Sequence, residues 1–594
     1  MQFKKKLQKL IQKAIQQMYD FHIPIAELDL TPTPSHFLGS HTLTTFPLAK
    51  ALQKNPEKIA TEIKDWLLVN SKDIVGCQVI KGFLNVTFAD KLWLSKLGPI
   101  KKHSEKALAT PAKNILIEFS QPNTNKPQHL GHLRNNFLGH ALAEIMKAVG
   151  HKVCKVNIIN DRGIHICKSM IAYQKWGNNQ TPASTGIKGD HFVGKYYVLF
   201  EKAYQKQVEA LADELGDKEK AATQAPLLKA AQSMLQKWEL GDKKVLGLWE
   251  KMNNWVYEGF QATYEKIHIS FDQVDYESKI YLDGKKIVSE GLEKGIFYQK
   301  ENAAIWVDLQ PEGLDQKLLL RSDGTSVYIT QDIGLIEKRY QTHQFEKHIY
   351  VVGNEQNYHF KALFAIMKKL QKPYANHLEH LAYGMVNLPQ GKMKSREGTT
   401  VDADNLIADM IKVASQQTSL LGKTKDFTAS ELHQLHHLIA LGALKYFLLK
   451  INPEKNILFD PQTSIDMQGN TGPFIQYTYA RIHTMLSKTS PTEFDLEAWE
   501  QDDAKLAPEE QAIVTQLVHF NDTLQQAAAT YNPALLCQYA YELAKAYNRL
   551  YANLPIRQEK NAILRTTRLY ISAHTAHTLQ HTMHLLGIHL PERM

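Results

Sequence analysis

Apolar and polar positions along this chain follow two periods, and the changes between them mark its elements. Ile115-Leu116-Ile117 with Glu118-Phe119 at its end has the pattern of a buried strand, and a turn-rich segment from Ser120 to Gln128 follows. Apolar residues then recur at Leu133, Phe137, Ala141, Ile145 and Val149, which is helical spacing, and Gly150 suits the left-handed residue that closes a helix. Val153 to Ile159 is a second apolar run. Strand, helix and strand in this order predict a right-handed crossover in a parallel sheet, where ligands bind beyond the carboxyl ends of the strands. Asn160, Asp161, Arg162 and Gly163 arrive at such an end.

Ahead of this unit, Leu7, Leu10, Ile11, Ile15 and Met18 interleave with Lys4, Lys5, Lys6, Lys9 and Lys13, which predicts an amphipathic helix. A turn cluster at Thr31-Pro32-Thr33-Pro34 and a helix-then-strand pattern through Val79-Ile80 and Phe83 to Phe88 complete a small α+β module, residues 1–110. Lys101-Lys102-His103 and Pro111 mark the linker behind it. Residues 176–259 turn polar and helical, with Trp238, Trp249 and Trp255 as anchors, and read as an insertion between two halves of a sheet. The sheet pattern is expected to resume at Ile305 to Leu309, Leu318 to Arg321 and Val327 to Thr330, with Asp332 heading a helix. His348 to Val352 and Leu381 to Val386 follow as further strands, and from Phe427 onward helical periods dominate.

With 594 residues the chain exceeds one core, so about three or four domains are expected. A formal charge of +9 is compatible with a polyanionic partner without pointing to one. The four cysteines are scattered, which argues against a disulfide framework or a cysteine zinc site and fits a reducing compartment. The lysine-interrupted first helix is no signal peptide and no run is long enough to span a bilayer, so a cytoplasmic protein is expected. No segment reads as a dimer seam, and a monomer is the default expectation.

Candidate chemistry concentrates at Lys126, His129, Gly131 and His132, where the loop enters the helix. A helix N-terminus presents free N–H groups and the positive end of its dipole, two imidazoles and an ammonium add donors and charge, and Gly131 lets a nucleotide lie against the backbone. Taken alone, the H-x-G-H string is equally consistent with two polar histidines opening a helix. Gly189 to Lys195 resembles a P-loop, but Tyr196 stands where a magnesium-binding hydroxyl is required and no strand precedes it. Gly391 to Gly398 is a cationic loop that, alone, reads as a solvated turn. Tyr539, Tyr541, Tyr547, Tyr551 and Tyr570 beside lysines and arginines suit either stacked RNA bases or a bundle core. His574, His577, His581 and His584 read as a partly exposed stripe in preference to a metal site, since no acid or cysteine joins them.

Together these segments resemble a class I aminoacyl-tRNA synthetase and, within that class, the arginyl-tRNA synthetase family. The resemblance is carried by Glu118-Phe119-Ser120-x-Pro122-Asn123-x-x-Lys126-x-x-His129-x-Gly131-His132-Leu133-Arg134, by Asp323-Gly324-Thr325-x-x-Tyr328-x-Thr330-x-Asp332, by Lys392-Met393 and by Gly469-Asn470-Thr471-Gly472-Pro473-x-x-Gln476-Tyr477-x-x-Ala480-Arg481. It covers essentially the whole chain.

The resemblance implies an α/β fold: a class I nucleotide-binding, Rossmann-like parallel-sheet catalytic domain over 111–460, an N-terminal α+β module that contacts the tRNA elbow, and an all-α C-terminal bundle over 461–594 that reads the anticodon. The implied activity is arginine–tRNA ligation, in which ATP activates L-arginine to an adenylate and the arginyl group passes to the terminal adenosine of tRNA(Arg). Implied catalytic residues are His129, His132, Lys126 and Lys392. Gly131, Met393, Lys394 and Ser395 join His129 and His132 at ATP, which is a substrate accompanied by Mg2+, with no protein metal ligand expected. Asp332 and Glu277 would hold the guanidinium with Tyr328 beside it, and Glu118, Asn123 and Gln356 the α-amino end. The family's K-M-S-K-S loop reads Lys392-Met393-Lys394-Ser395-Arg396 here, so its second lysine is displaced, and Lys126 is placed to reach the phosphates instead. A catalytically dead RNA-binding paralogue would be expected to have lost these phosphate-contacting residues, and a small-molecule nucleotidyltransferase leaves the terminal domains unexplained.

Overall fold

Lysines and apolar residues separate onto two faces of the first helix, Gln2–Tyr19, where Leu7, Ile11, Ala14 and Ile15 are buried and Lys4, Lys5 and Lys6 are exposed. With the helix Pro56–Asn70, whose N–H groups Asn55 caps, it belongs to a module built on an antiparallel sheet ordered β1-β2-β4-β3. These strands are β1 (Leu30–Pro32), β2 (His41–Thr44), β3 (Ile74–Ile80) and β4 (Phe83–Phe88). Thr31 and Pro32, expected in a turn, lie in β1. As an edge strand it tolerates a proline that would interrupt a central ladder. The structure, a computed structural model, describes residues 2–33, 37, 39–98, 111–387, 401–421, 426–489, 494–502 and 504–594. Pro34 and the Lys101-Lys102-His103 linker lie outside them.

The crossover forms as expected: β5 (Asn114–Glu118), the helix Leu130–Ala148, and β6 (Lys152–Ile159) parallel to β5, with Gly150 at φ 100° after the helix. The next sheet strand is β7 (Gln273–Tyr276), parallel to β6, which sequence reading passes over because its four residues alternate polar and apolar. The runs at 305–309 and 318–321 do become strands, but not of this sheet. β8 (Tyr298–Gln299), β9 (Ile305–Val307) and β10 (Lys317–Leu320) form a separate antiparallel sheet. The links between them are too short for a parallel crossover, which needs a dozen or more residues, so each turns back on its predecessor. Val327 to Thr330 is not a strand either, because the helix Tyr328–His343 begins there. The Thr330 hydroxyl accepts the Val327 N–H at 3.3 Å and donates to Leu319 O, and this cap outweighs β-branched propensity.

β11 (Lys347–Gly353) and β12 (Leu378–Tyr383) complete the parallel sheet in the order β12-β11-β5-β6-β7. The run expected through Val386 breaks at Gly384, and β13 (Val386–Asn387) pairs instead with β14 (Ile457–Leu458). Chain order places β6 and β7 on one side of β5 and β11 and β12 on the other, so the topological switch falls beside β5, and ligands of such sheets bind there.

The insertion is helical, and its P-loop look-alike lies in the helix Gly189–Leu215. A Cβ on Gly189 would fall 1.8 Å from Trp255 O, so that glycine serves helix packing. The C-terminal bundle contains the helices Gly472–Leu486, Pro508–Ala529, Ala534–Asn553 and Ala562–Leu585. Tyr539 and Tyr547 are core residues, whereas Tyr551 is exposed. The histidine stripe is partly exposed, as expected: His574 is buried beside Tyr570 and contacts Gly98 O at 3.1 Å, His577 and His581 are half-buried, and His584 is exposed. No described helix is long and apolar enough to cross a membrane.

Candidate active site

The helix that follows β5 opens on a reciprocal pair of histidines. His129 Nδ1 accepts the Gly131 N–H at 3.1 Å, His132 Nδ1 accepts the His129 N–H at 3.2 Å, and the ring centroids lie 4.0 Å apart. A backbone N–H only donates, so each neutral ring carries its hydrogen on Nε2. Burial, reinforced by Lys126, lowers His129 to about 4, and burial with His129 and Lys126 lowers His132 well below its ordinary range. The expectation that these imidazoles bring positive charge is thus corrected for the free site. They are neutral N–H donors at the positive end of a helix dipole, beside the Lys126 ammonium. Gly131 serves the same arrangement, since a Cβ there would approach His129 Cε1 to 2.9 Å.

Lys126, His129, His191, Lys195 and Asp402 wall a cavity of about 180 Å³ between this corner and the Gly189–Leu215 helix. Lys392, Met393, Lys394 and Ser395 lie outside the described residues. The chain on either side of that segment flanks the same helix start. Upstream, the Arg134 guanidinium donates to Gly384 O, and downstream Val401 O accepts the Leu130 N–H at 3.0 Å and Ala403 N–H donates to Gln128 O at 3.0 Å.

The acids expected for arginine converge on the carboxyl edge of the sheet. Glu118 ends β5, Glu277 follows β7 directly, Gln356 closes the short turn Asn354–Gln356 after β11, and Asp332 lies in the first turns of Tyr328–His343. Glu277 is buried, and burial with the charges of Asp161 and Asp332 raises it to about 7 against the pull of Arg162. Asp332 contacts His359 at 2.7 Å. Burial lowers that imidazole, but Asp332 outweighs burial and leaves its pKa above the ordinary value. Glu118 stands differently from the expectation: one oxygen accepts from buried Arg339 and the other from Gln121 Nε2 at 2.7 Å, so both are already engaged. Asn123, bridged to Asn160, and exposed Gln356 remain open, and Tyr328 is 69% exposed at the rim.

Arg339 is the residue sequence reasoning missed. Fully buried, it binds Asp275 at 2.9 Å as well as Glu118, and these acids hold its pKa above the ordinary value despite burial. Its signal was available, because Asp332 and Arg339 are seven apart, on one face of one helix. Asp161 was also misread as a ligand-side residue. It accepts from Ser278 N and Oγ at 2.8 and 2.7 Å and from Tyr257 OH at 2.8 Å, tying β6 to the turn that carries Glu277. At the end of β5, Ser120 and Gln121 adopt φ 83° and 51°, held by Asn135 Oδ1 on Ser120 N at 2.5 Å and Asn157 Oδ1 on Gln121 N at 3.0 Å.

A metal-sized cluster among the described residues, Asp190, His191 and Asp404, is filled by Lys188 Nζ, 3.0 Å from Asp190 and 2.6 Å from Asp404. In the bundle, a cavity of about 820 Å³ is lined by Tyr477, Arg481, Lys488, Tyr551 and Arg557, among others, and the Arg481 guanidinium lies 4.9 and 5.1 Å from the two tyrosine rings.

A family model described as tRNA synthetases class I (R), catalytic domain, matches residues 98–460, with the arginyl tRNA synthetase N terminal domain at 5–88 and the DALR anticodon binding domain at 475–594. The chain belongs to the arginyl-tRNA synthetase family. An arginine–tRNA ligase of Amoebophilus asiaticus is 52% identical over 99% of both chains, and one of Bacteroides fragilis 46% identical over 100% of both. The solved arginyl-tRNA synthetase of Thermus thermophilus covers 100% of both chains with a TM-score of 0.78 at 25% identity. Arginyl-tRNA synthetase family membership thus accounts for the parallel sheet, the helical C-terminal domain and the mixed N-terminal module together.

Proposed function

We propose that this chain ligates L-arginine to tRNA(Arg) at the expense of ATP, with the residues above in the following roles. The observation that carries the reading is the buried acid Glu277, raised to about 7 by burial and by the charges of Asp161 and Asp332, at a sheet edge that also bears the His129–His132 helix start. A planar guanidinium with paired donors is the cation such acids select. Glu277 and Asp332 bind it, Tyr328 closes over it, and Asn123 and Gln356 take the α-amino end over the Glu118–Arg339 pair.

The arginine carboxylate then attacks the α-phosphorus of ATP. A new P–O bond forms, the bond to the β-phosphate oxygen breaks, and pyrophosphate leaves with the electron pair. His129 and His132 donate Nε2–H groups to phosphate oxygens while Lys126, with Lys392 and its neighbours, offsets charge that grows on the leaving group. In the second step a terminal adenosine hydroxyl of the tRNA attacks the arginyl carbonyl, and AMP departs. Mg2+ accompanies ATP as part of the substrate. Residues 1–110 contact the tRNA elbow, and residues 461–594 read the anticodon, with the Tyr477–Arg481–Tyr551 groove offering stacking surfaces and cations to unpaired bases.

ATP–pyrophosphate exchange measured with each amino acid, with and without tRNA, tests this. Exchange dependent on arginine is expected, and exchange with another amino acid or with none overturns the reading. Lys126→Ala is expected to lower exchange by about 10²-fold, as loss of one charge-stabilising donor does. A near-normal rate would falsify the role given to Lys126.

A further inference from the structure

The backbone that pairs with His129 meets the helical insertion through two acids, Asp402, 3.4 Å from His191 Nε2, and Asp404. Asp402 lies opposite His129 in an antiparallel bridge, and two residues on is Asp404. Asp404 Oδ2 accepts from Lys188 Nζ at 2.6 Å, from His191 Nε2 at 3.3 Å and from the Thr263 hydroxyl at 3.3 Å, and Oδ1 accepts from Lys266 Nζ at 2.7 Å. Lys188 and His191 come from the start of the Gly189–Leu215 helix, and Thr263 and Lys266 from the end of Lys243–Lys266. The first of these helices also abuts the phosphate corner, since a Cβ on Gly194 would fall 2.8 Å from Pro127 Cδ.

We infer that Asp404 is a positioning residue, which locks the Val401–Ala403 backbone to the insertion and through it sets the height of His129 over the phosphate site. The inference rests on the phosphate-facing role given to His129 above. Two lysines and an imidazole around one carboxylate exceed what holding a surface loop requires. Against the cost of burial, His191, Lys188 and Lys266 hold Asp404 ionised far below the usual carboxylate range. In return Asp404 raises His191, with Asp402 and Asp190 adding to it and burial and Lys188 opposing. Lys188, His191 and Lys266 face the carboxylate from these two helices, and Asp402 faces it from its own segment as a like charge, so a shift of either helix moves the backbone that His129 leans on. Asp404 touches no reacting atom and has its effect through geometry, where an error of about 1 Å costs on the order of 10²-fold in rate.

Asp404→Asn keeps the shape and removes the charge. In arginine-dependent pyrophosphate exchange, kcat is expected to fall at least about tenfold while KM for arginine stays within about twofold, because the acids that bind the guanidinium are elsewhere. Asp404→Glu restores the charge and is expected to recover part of the loss. Lys266→Met removes one half-exposed clasp without threatening the fold and should lower kcat in the same direction, by about threefold. Unchanged kcat in both Asp404→Asn and Lys266→Met overturns the inference, as does a fall explained wholly by a raised arginine KM. His129→Ala in the same assay separates this from the site reading: full activity there sinks both, whereas loss there with unchanged Asp404→Asn sinks the latch alone.

Discussion

Two buried cations divide the molecule into regions of opposite electrostatic character. Arg339, beneath the proposed arginine pocket, has a carboxylate on each side, from Glu118 at the end of β5 and Asp275 in β7. Lys445, 1% exposed in the helix Ala429–Leu449, donates to a backbone carbonyl, Gly587 O at 2.6 Å, beside the ring of Phe137. Burial alone lowers it to about 7. Around it sit His140, His268, His437 and His589, each below its ordinary value chiefly through burial, with Lys445 adding to every one. The first cation is a permanent charge that fixes a pocket floor. The second is a group poised to lose its proton where the C-terminal tail meets the helix that starts at the histidine pair.

Arg339→Met leaves Glu118 and Asp275 buried without their cation and is expected to cost about 3–5 kcal/mol of stability in urea titration, the largest effect of the three substitutions. Lys445→Met should act in the opposite sense. Its pKa is lower folded than unfolded, so the unfolded chain binds the additional proton between about 7 and the ordinary 10.5, and wild-type stability rises with pH across that window. The substitution is therefore expected to stabilise by about 2 kcal/mol at pH 6 and by less at pH 9, and equal effects at the two pH values would count against a titrating lysine. A smaller effect sharpens the account of the pocket. Because Glu277 sits near 7 when empty and a guanidinium favours its ionised form, arginine binding releases a proton below that pH. KM for arginine should fall about tenfold from pH 6 to pH 8, and Glu277→Gln should flatten that slope.

Which parts of this were legible in sequence follows from the range of the forces involved. The β5–helix–β6 crossover and the insertion are encoded by local periodicity, whereas Glu277, Asp332, Asn123 and Gln356 were singled out by the family resemblance, and the fold then gathers Glu277, Asp332 and Gln356 at the carboxyl edge of the sheet. What sequence could not supply were facts of long-range pairing. The strands at 305–309 and 318–321 had the right pattern, but they pair with each other, and the first of them with the two-residue β8, which carries no periodic signal, and not with the parallel sheet. The charge state of His129 and His132 depends on their burial against each other, which no residue count conveys. Glu118 looked like a substrate ligand until its partner, 221 residues away, was in view.

The bend at Ser120 and Gln121 bears on how the pocket comes into being. Neither residue rests comfortably at positive φ, and the two amides that hold them there come from separate elements, the helix after the bend and β6 beyond it. The bend therefore depends on the docked crossover, since losing either amide partner frees its backbone. In amide hydrogen exchange, protons on this bend should report the integrity of the crossover well before the strands themselves begin to trade theirs with solvent.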